Sequence, residues 1–237
     1  MTKSRFSLLH VEDDSLWQTS VAGVLRGLPE VKSYETVATV SAALERVRDF
    51  GPDLVLLDVV LADGDGLQLA RELAALPTPP KILLLSVRRD DVVLQAAHEP
   101  HVAALLWKGG DVLMGLPEAV RTVAAGGRYF PPEVREALRK FRSDPAAYFK
   151  ILSDRELDLL PLLGSGFSDE EAAAQLGLKA STVKTHRLSI LAKLNLPSTA
   201  RLIHWAIQRG FVRPPSDGWV AREDGEDASS NSSNPFS

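Results

Sequence analysis

The chain has 237 residues, with 27 Lys and Arg against 31 Asp and Glu, 45% apolar residues and no cysteine. That length allows two domains with cores of ordinary size, and the missing cysteine excludes disulfides, thiolate metal centres and cysteine nucleophiles. No apolar run approaches the roughly 20 residues of a membrane span, and "MTKSRFSLLH" leads into acidic residues instead of a signal-peptide core, so a cytoplasmic protein with no membrane partner is expected.

Charge is unevenly spread. Residues 1–126 carry 12 basic against 17 acidic residues, residues 127–213 carry 14 against 9, and residues 214–237 carry 1 against 5. The predicted divisions are an α/β domain over 1–126, a linker with a short helix over 127–150, an all-α domain over 151–213, and an acidic, polar tail over 214–237. The tail ends "DGEDASSNSSNPFS", too polar to bury a core, and is expected to be disordered.

In chain order, the first part alternates five strand-like runs with five amphipathic helical patterns: "FSLLHV", "VKSYETV", "DLVLLD", "KILLLS" and "VAALLW", each followed by a helix of about ten residues. This alternation predicts an α/β doubly wound five-stranded parallel sheet. The polar second run suits an edge. In such sheets ligand chemistry gathers outside the carboxyl ends of the strands, where this chain places Glu12, Asp13 and Asp14 after the first run, Asp58 at the end of the third, Ser86 at the end of the fourth and Lys108 after the fifth.

Glu12, Asp13 and Asp58 would crowd three carboxylates into one crevice, which a cation must offset. All-oxygen ligation favours Mg2+, with the Val60 backbone carbonyl as a further ligand. Asp58 is then a nucleophile toward activated phosphorus, Lys108 a positive charge for phosphoryl oxygens and the Ser86 hydroxyl a hydrogen-bond donor to one of them. Asp14 reads as a helix N-terminal carboxylate, and Asp63 and Asp65 in "ADGDG" as turn formers.

The second part opens with "GGRYFPPEVREALRKFRSDPAAYF" and continues with four helical patterns. Two of them start with capping-box spacing, Ser153 with Glu156 and Ser168 with Glu171. Leu176 and Gly177 stop one helix and "GLKA" starts the next, a helix-turn-helix spacing. "STVKTHRLSILAKL" offers Lys184, Thr185, Arg187 and Leu188 near a helix start, as a major-groove reader requires, with Thr182 and Lys193 suited to phosphates of double-stranded DNA.

By the order of these residues, 5 to about 126 resembles the receiver domain of bacterial two-component response regulators, whose fold is flavodoxin-like. The resemblance implies Asp58 as acceptor of a phosphoryl group from a sensor histidine kinase, Glu12 and Asp13 as Mg2+ ligands with Asp58 and the Val60 carbonyl, Ser86 as switch hydroxyl and Lys108 as phosphate-binding lysine. Where the family usually has Tyr or Phe, three residues before the lysine, this chain has Leu105, with Trp107 next to the lysine. Ile151 to Val212 resembles the LuxR-type helix-turn-helix, strongly in "TVKTH" and "LAKLN", with Leu188 where the family often has a polar residue. The pair of domains is the NarL/FixJ architecture.

The implied protein is a phosphorylation-controlled transcription regulator that binds paired half-sites as a homodimer and is not an enzyme beyond its own phosphorylation and slow dephosphorylation. Its receiver is expected to mask or misplace the DNA-binding half. Two other readings remain open: an orphan DNA-binding regulator indifferent to phosphate, which Leu105 motivates, and an Mg2+-dependent phosphohydrolase, which the absence of a carboxylate at Val60 disfavours.

Overall fold

The computed structural model describes residues 5–145 and 147–212. The expected tail, 214–237, lies outside the described residues.

Five parallel strands, β1 (Phe6–Val11), β2 (Val31–Val37), β3 (Leu54–Asp58), β6 (Lys81–Ser86) and β7 (Val102–Trp107), form one sheet in the order β2-β1-β3-β6-β7. Between β3 and β6 lies a two-residue antiparallel pair, β4 (Val60–Leu61) with β5 (Gly64–Asp65). Helices α1 (Ser15–Leu25), α2 (Val40–Phe50), α3 (Gly66–Ala74) and α4 (Asp91–Ala96) connect the strands, and α5 (Val112–Ala124) follows the last of them. As the alternation of the runs predicts, β2 is an edge strand, and none of its residues is fully buried.

The two-residue period of the central strands divides their side chains between two apolar layers. Leu9, Val11, Val55, Leu57, Ile82, Leu84 and Leu105 face one, with Val47 of α2 and Leu73 of α3. Leu8, Leu54, Leu56, Leu83, Leu85 and Leu106 face the other, with Val21 of α1 and Val120 of α5. With both faces covered, β3 is buried along its whole length, including the carboxylate at its end.

Helix starts follow local side-chain chemistry. Asp14, Thr39, Asp65 and Asp90 accept hydrogen bonds from free backbone N–H groups at the starts of α1, α2, α3 and α4. Asp65 is thus a helix cap as well as a strand residue, and Asp63, which sits in the turn as expected, reaches across to accept the Val40 N–H at 2.9 Å. Asp53 falls just outside β3, because its carboxylate closes on the Ser7 N–H and hydroxyl at 2.7 and 2.8 Å.

The connecting segment holds more helix than its composition suggests: α6 (Pro132–Ser143), which starts on a proline and packs on α4 and β7, and the single turn α7 (Tyr148–Ile151). Four helices follow, α8 (Asp154–Gly164), α9 (Asp169–Leu176), α10 (Ala180–Lys193) and α11 (Thr199–Gln208). Both predicted capping boxes are present, at Ser153 with Glu156 and Ser168 with Glu171. Gly177 ends α9 at φ 63°, a left-handed conformation that glycine adopts without strain. No described helix is long and apolar enough to cross a membrane.

One glycine ties the fold to the end of β3. Gly66 donates its N–H to the Val59 carbonyl at 3.1 Å, and a methyl group on it would overlap the Asp58 carbonyl oxygen. Backbone has no cheap way to give, so Gly66→Ala is expected to destabilise the protein by about 2–4 kcal/mol, read as a lower urea midpoint.

Candidate functional site

Parallel strands bring their carboxyl ends to one edge, and there Glu12, Asp13, Asp58, Ser86 and Lys108 meet. The Lys108 Nζ lies 2.6 Å from Glu12 Oε2 and 2.8 Å from Asp58 Oδ2. Glu12 and Ser86 are fully buried, and Asp58 and Lys108 nearly so. Asp13 is exposed at the rim, where it accepts the Ala62 N–H at 2.8 Å. Backbone sets the remaining lone pairs: Val60 N–H donates to Asp58 Oδ1 at 3.0 Å and Asp14 N–H to Glu12 Oε1 at 3.2 Å.

The charges do not balance within this cluster. One ammonium faces carboxylates whose oxygens, one each from Glu12, Asp13 and Asp58, lie within 4.8 Å of one another. Burial pushes the Glu12 carboxyl up, the hydrogen bond from Lys108 pulls it down, and the charge of Asp58 pushes it up again; the net direction is up. Three carboxylate oxygens this close together, with one ammonium to offset them, fit a divalent cation, which would remove the repulsion. Ser86 ends β6 with its carbonyl accepting the Lys108 N–H at 2.7 Å and its hydroxyl accepting the Arg88 N–H at 2.9 Å.

Sequence reasoning missed two neighbours of this cluster. Trp17, half-buried on α1, places its ring 5.2 Å from Lys108 Nζ, a cation–π contact. His10, fully buried on β1, bonds through Nδ1 to the Tyr34 hydroxyl at 2.8 Å, and burial, with the charge of Lys108 adding to it, holds its pKa down at about 3. It is a neutral core histidine. Leu105 is also fully buried, packed in the first apolar layer, with no polar atom to offer the crevice.

The second cluster of expected site residues lies on α10. Val183 and Ile190 turn inward and are buried, while Lys184, Thr185 and Leu188 are exposed and Thr182 is half-buried near the helix start. Arg187 and Lys193, expected at the DNA, are instead tied to the scaffold. The Arg187 guanidinium makes a two-pronged pair with Asp169 of α9, both contacts 2.8 Å, and reaches Thr199 at 3.2 Å. Lys193 Nζ lies 2.7 Å from Glu156 of α8, whose other oxygen accepts the Ser189 hydroxyl at 2.6 Å. A buried carboxylate and an acidic helix start attract the cations more strongly than solvent does, so these two residues fix the position of α10.

Two family models match this chain: the response regulator receiver domain over residues 8–112 and the bacterial regulatory proteins of the luxR family over residues 150–206. The chain belongs to the response regulators. The response regulator protein VraR of Staphylococcus aureus is 25% identical over 206 residues, which span 87% of this chain and 98% of that protein. Among solved structures, RcsB of Salmonella enterica serovar Typhimurium, bound to a promoter with a phosphomimetic, aligns at TM-score 0.60 and 18% identity over 85% of this chain and 98% of that one. A LuxR-family regulator from Aurantimonas sp. SI85-9A1 aligns at TM-score 0.55 and 19% identity over 60% of this chain and all of that one. The alignments agree with the fold, and a receiver followed by a LuxR-type domain makes this response regulator a DNA-binding regulator of transcription.

Glu156 organises the DNA-binding half. Burial works to raise its pKa, but the hydrogen bonds from Lys193, Ser189 and Ser153 outweigh burial and hold the carboxyl at about 2, against 4.5 for the free group. A folded-state value below the unfolded one contributes stability that is complete above about pH 4.5 and is lost as pH falls toward 2. Glu156→Gln should therefore cost on the order of 2 kcal/mol at pH 7 and show a flatter loss of stability than the wild type between pH 5 and about 2.5, measured by urea unfolding at each pH.

Proposed function

We propose that this response regulator accepts one phosphoryl group on Asp58 from the phosphohistidine of a sensor kinase and thereby controls its binding to DNA. The observation that carries this reading is the Lys108 ammonium held between Glu12 and Asp58, one strand away from the buried Ser86 hydroxyl. An Asp58 carboxylate oxygen forms the new O–P bond as the P–N bond of the phosphohistidine breaks, and the leaving imidazole keeps the electron pair and takes up a proton. Glu12, Asp13, Asp58 and the Val60 carbonyl are the residues to hold Mg2+, which when bound neutralises carboxylate and phosphoryl charge. Lys108 then exchanges its contact with Asp58 for one with a phosphoryl oxygen, and Ser86 turns to donate its hydroxyl proton to another.

The proposed division of labour follows the sequence boundaries, with residues 1–126 as the phosphorylated half, 127–150 as the connection and 151–213 as the DNA-binding half. On α10, the exposed Lys184 and Thr185 would read base edges and Thr182 would meet a phosphate, while the exposed Leu188 suits the methyl group of a thymine. Two copies related by a two-fold axis would present two such helices to half-sites one helical turn apart. The family gives no catalytic role beyond phosphorylation and its slow reversal, and a cytoplasmic location suits both partners.

A second reading is favoured by Leu105. A fully buried leucine cannot swing between inward and outward positions as an amphipathic aromatic can, so the phosphoryl state of Asp58 could remain unread by the rest of the protein. In that case the phosphorylated protein and Asp58→Asn bind DNA equally well.

Intact mass of the wild type and Asp58→Asn after incubation with Mg2+ and a small acyl phosphate, with and without chelator, tests the proposal. One phosphoryl adduct is expected on the wild type in the presence of metal, and none on the variant or in chelator. An adduct on Asp58→Asn would move the acceptor elsewhere.

A further inference from the structure

A cluster of cations outside both sites lies on the connecting segment, where residues 127–150 carry six basic against three acidic residues. Four of the cations, Arg128, Arg135, Arg139 and Arg142, line one groove of about 530 Å3 between α6 and the end of α4, over a floor of Ala97, Phe130 and Leu138. The helical period puts Arg135, Arg139 and Arg142 on one side of α6, and all three are exposed. Among the described residues no carboxylate lines the groove. Arg128 and Arg135 donate to backbone carbonyls, of Ala97 and Val102 at 2.7 and 3.0 Å and of Phe130 at 3.0 Å, which leaves their charge uncompensated. Glu136 pairs with Arg139 at 2.8 Å but is shared with Lys140 at 3.5 Å, and Arg142 makes no ion pair among the described residues.

The residues after α11 come close to this groove. The Arg88 guanidinium donates to the Gly210 carbonyl at 2.7 Å and Arg209 pairs with Asp91, which seats them at the start of α4. The groove lies at the other end of α4, at Ala97 and His98, and that helix is six residues long, about 9 Å. Phe211 meets Tyr148 edge-on at 4.8 Å, and Tyr148 lies 6.2 Å from Phe141 of α6. Beyond Val212 the sequence turns acidic: residues 214–237 hold five acids against one Arg, and four of the acids stand together in "EDGED", Glu223 to Asp227. Glu223 is the eleventh residue after Val212, and a chain of that length spans at most about 36 Å, well beyond what the groove requires.

We propose that the acidic run Glu223 to Asp227 docks on the arginine groove of α6 in the same chain, tying the end of the sequence to the connection between the two halves. Four carboxylates meet four guanidiniums, whose planar forks suit two-pronged pairing with carboxylates. Each such pair is weak on a surface, but attachment to the same chain holds the acids at a high effective concentration beside the groove. The cationic face of α10 fits the run less well, because Arg187 and Lys193 are already paired with Asp169 and Glu156. Docking of this kind is electrostatic and weakens as salt is raised.

The chain has no cysteine, so Ser229→Cys carries a single nitroxide label two residues beyond Asp227, and broadening of backbone amide NMR signals reads where the acidic run sits. In the full chain at low salt the amides of Leu138 to Arg142 should lose most of their signal and those of α10 little, and the signal should return near 1 M salt, where the Debye length is about 3 Å. It should also return in Arg135→Gln/Arg139→Gln/Arg142→Gln and in Glu223→Gln/Asp224→Asn/Glu226→Gln/Asp227→Asn, the second of which leaves every described residue unchanged. Loss centred on α10, loss spread evenly along the chain, or loss that survives neutralisation of the acidic run would overturn the proposal. In a mixture of spin-labelled chain with isotope-enriched chain that carries no label, loss at α6 would give the groove to the acidic run of a second copy and overturn docking within one chain. No loss at α6 in the full chain would overturn it too, and a shift of the same amides on adding a non-specific DNA duplex would then name nucleic acid as the occupant.

Discussion

Everything in the receiver half is arranged around one ammonium group among carboxylates. Lys108 could not be taken out of water alone, and neither could Glu12 or Asp58; each is tolerable because the others are there. The parallel sheet makes the meeting possible, since only strands running the same way deliver the ends of β1, β3 and β7 to one edge. The cluster still lacks positive charge, and that shortage suits it to receive a divalent cation.

The DNA-binding half solves the same kind of problem to a different end. Glu156 is buried and ionised, but it accepts hydrogen bonds from Ser153, Ser189 and Lys193 and has little left to offer a ligand. Its role is to hold α8 and α10 in register. Arg187 and Asp169 do the same between α9 and α10. Helix α10 is thus held by charged contacts on its inner side, while Lys184 and Leu188 on its outer side are exposed.

How much of this was legible depended on the range of the interaction. Capping boxes at Ser153 and Ser168, the stop at Gly177 and the strand ending in Asp58 are local patterns, written within a few residues, and they could be read directly. The hairpin over Val60–Asp65 could not, because two-residue strands are shorter than any periodicity. The fates of Arg187 and Lys193 were also out of reach: each looks like a basic residue on a basic helix until the acid on another helix is known. Arg88 and Gly210, 122 residues apart, carry no local signal of their contact. Pairing across the fold is the information that a linear reading lacks.

Trp17 has a consequence of another kind. Its ring stands over the Lys108 cation, 5.2 Å from Nζ. Indole emission responds to the electric field across the ring, and that field depends on where the positive charge sits. The carboxylate cluster therefore has a fluorophore of the protein's own beside its one ammonium, and any displacement of that charge changes the light it emits with no label attached.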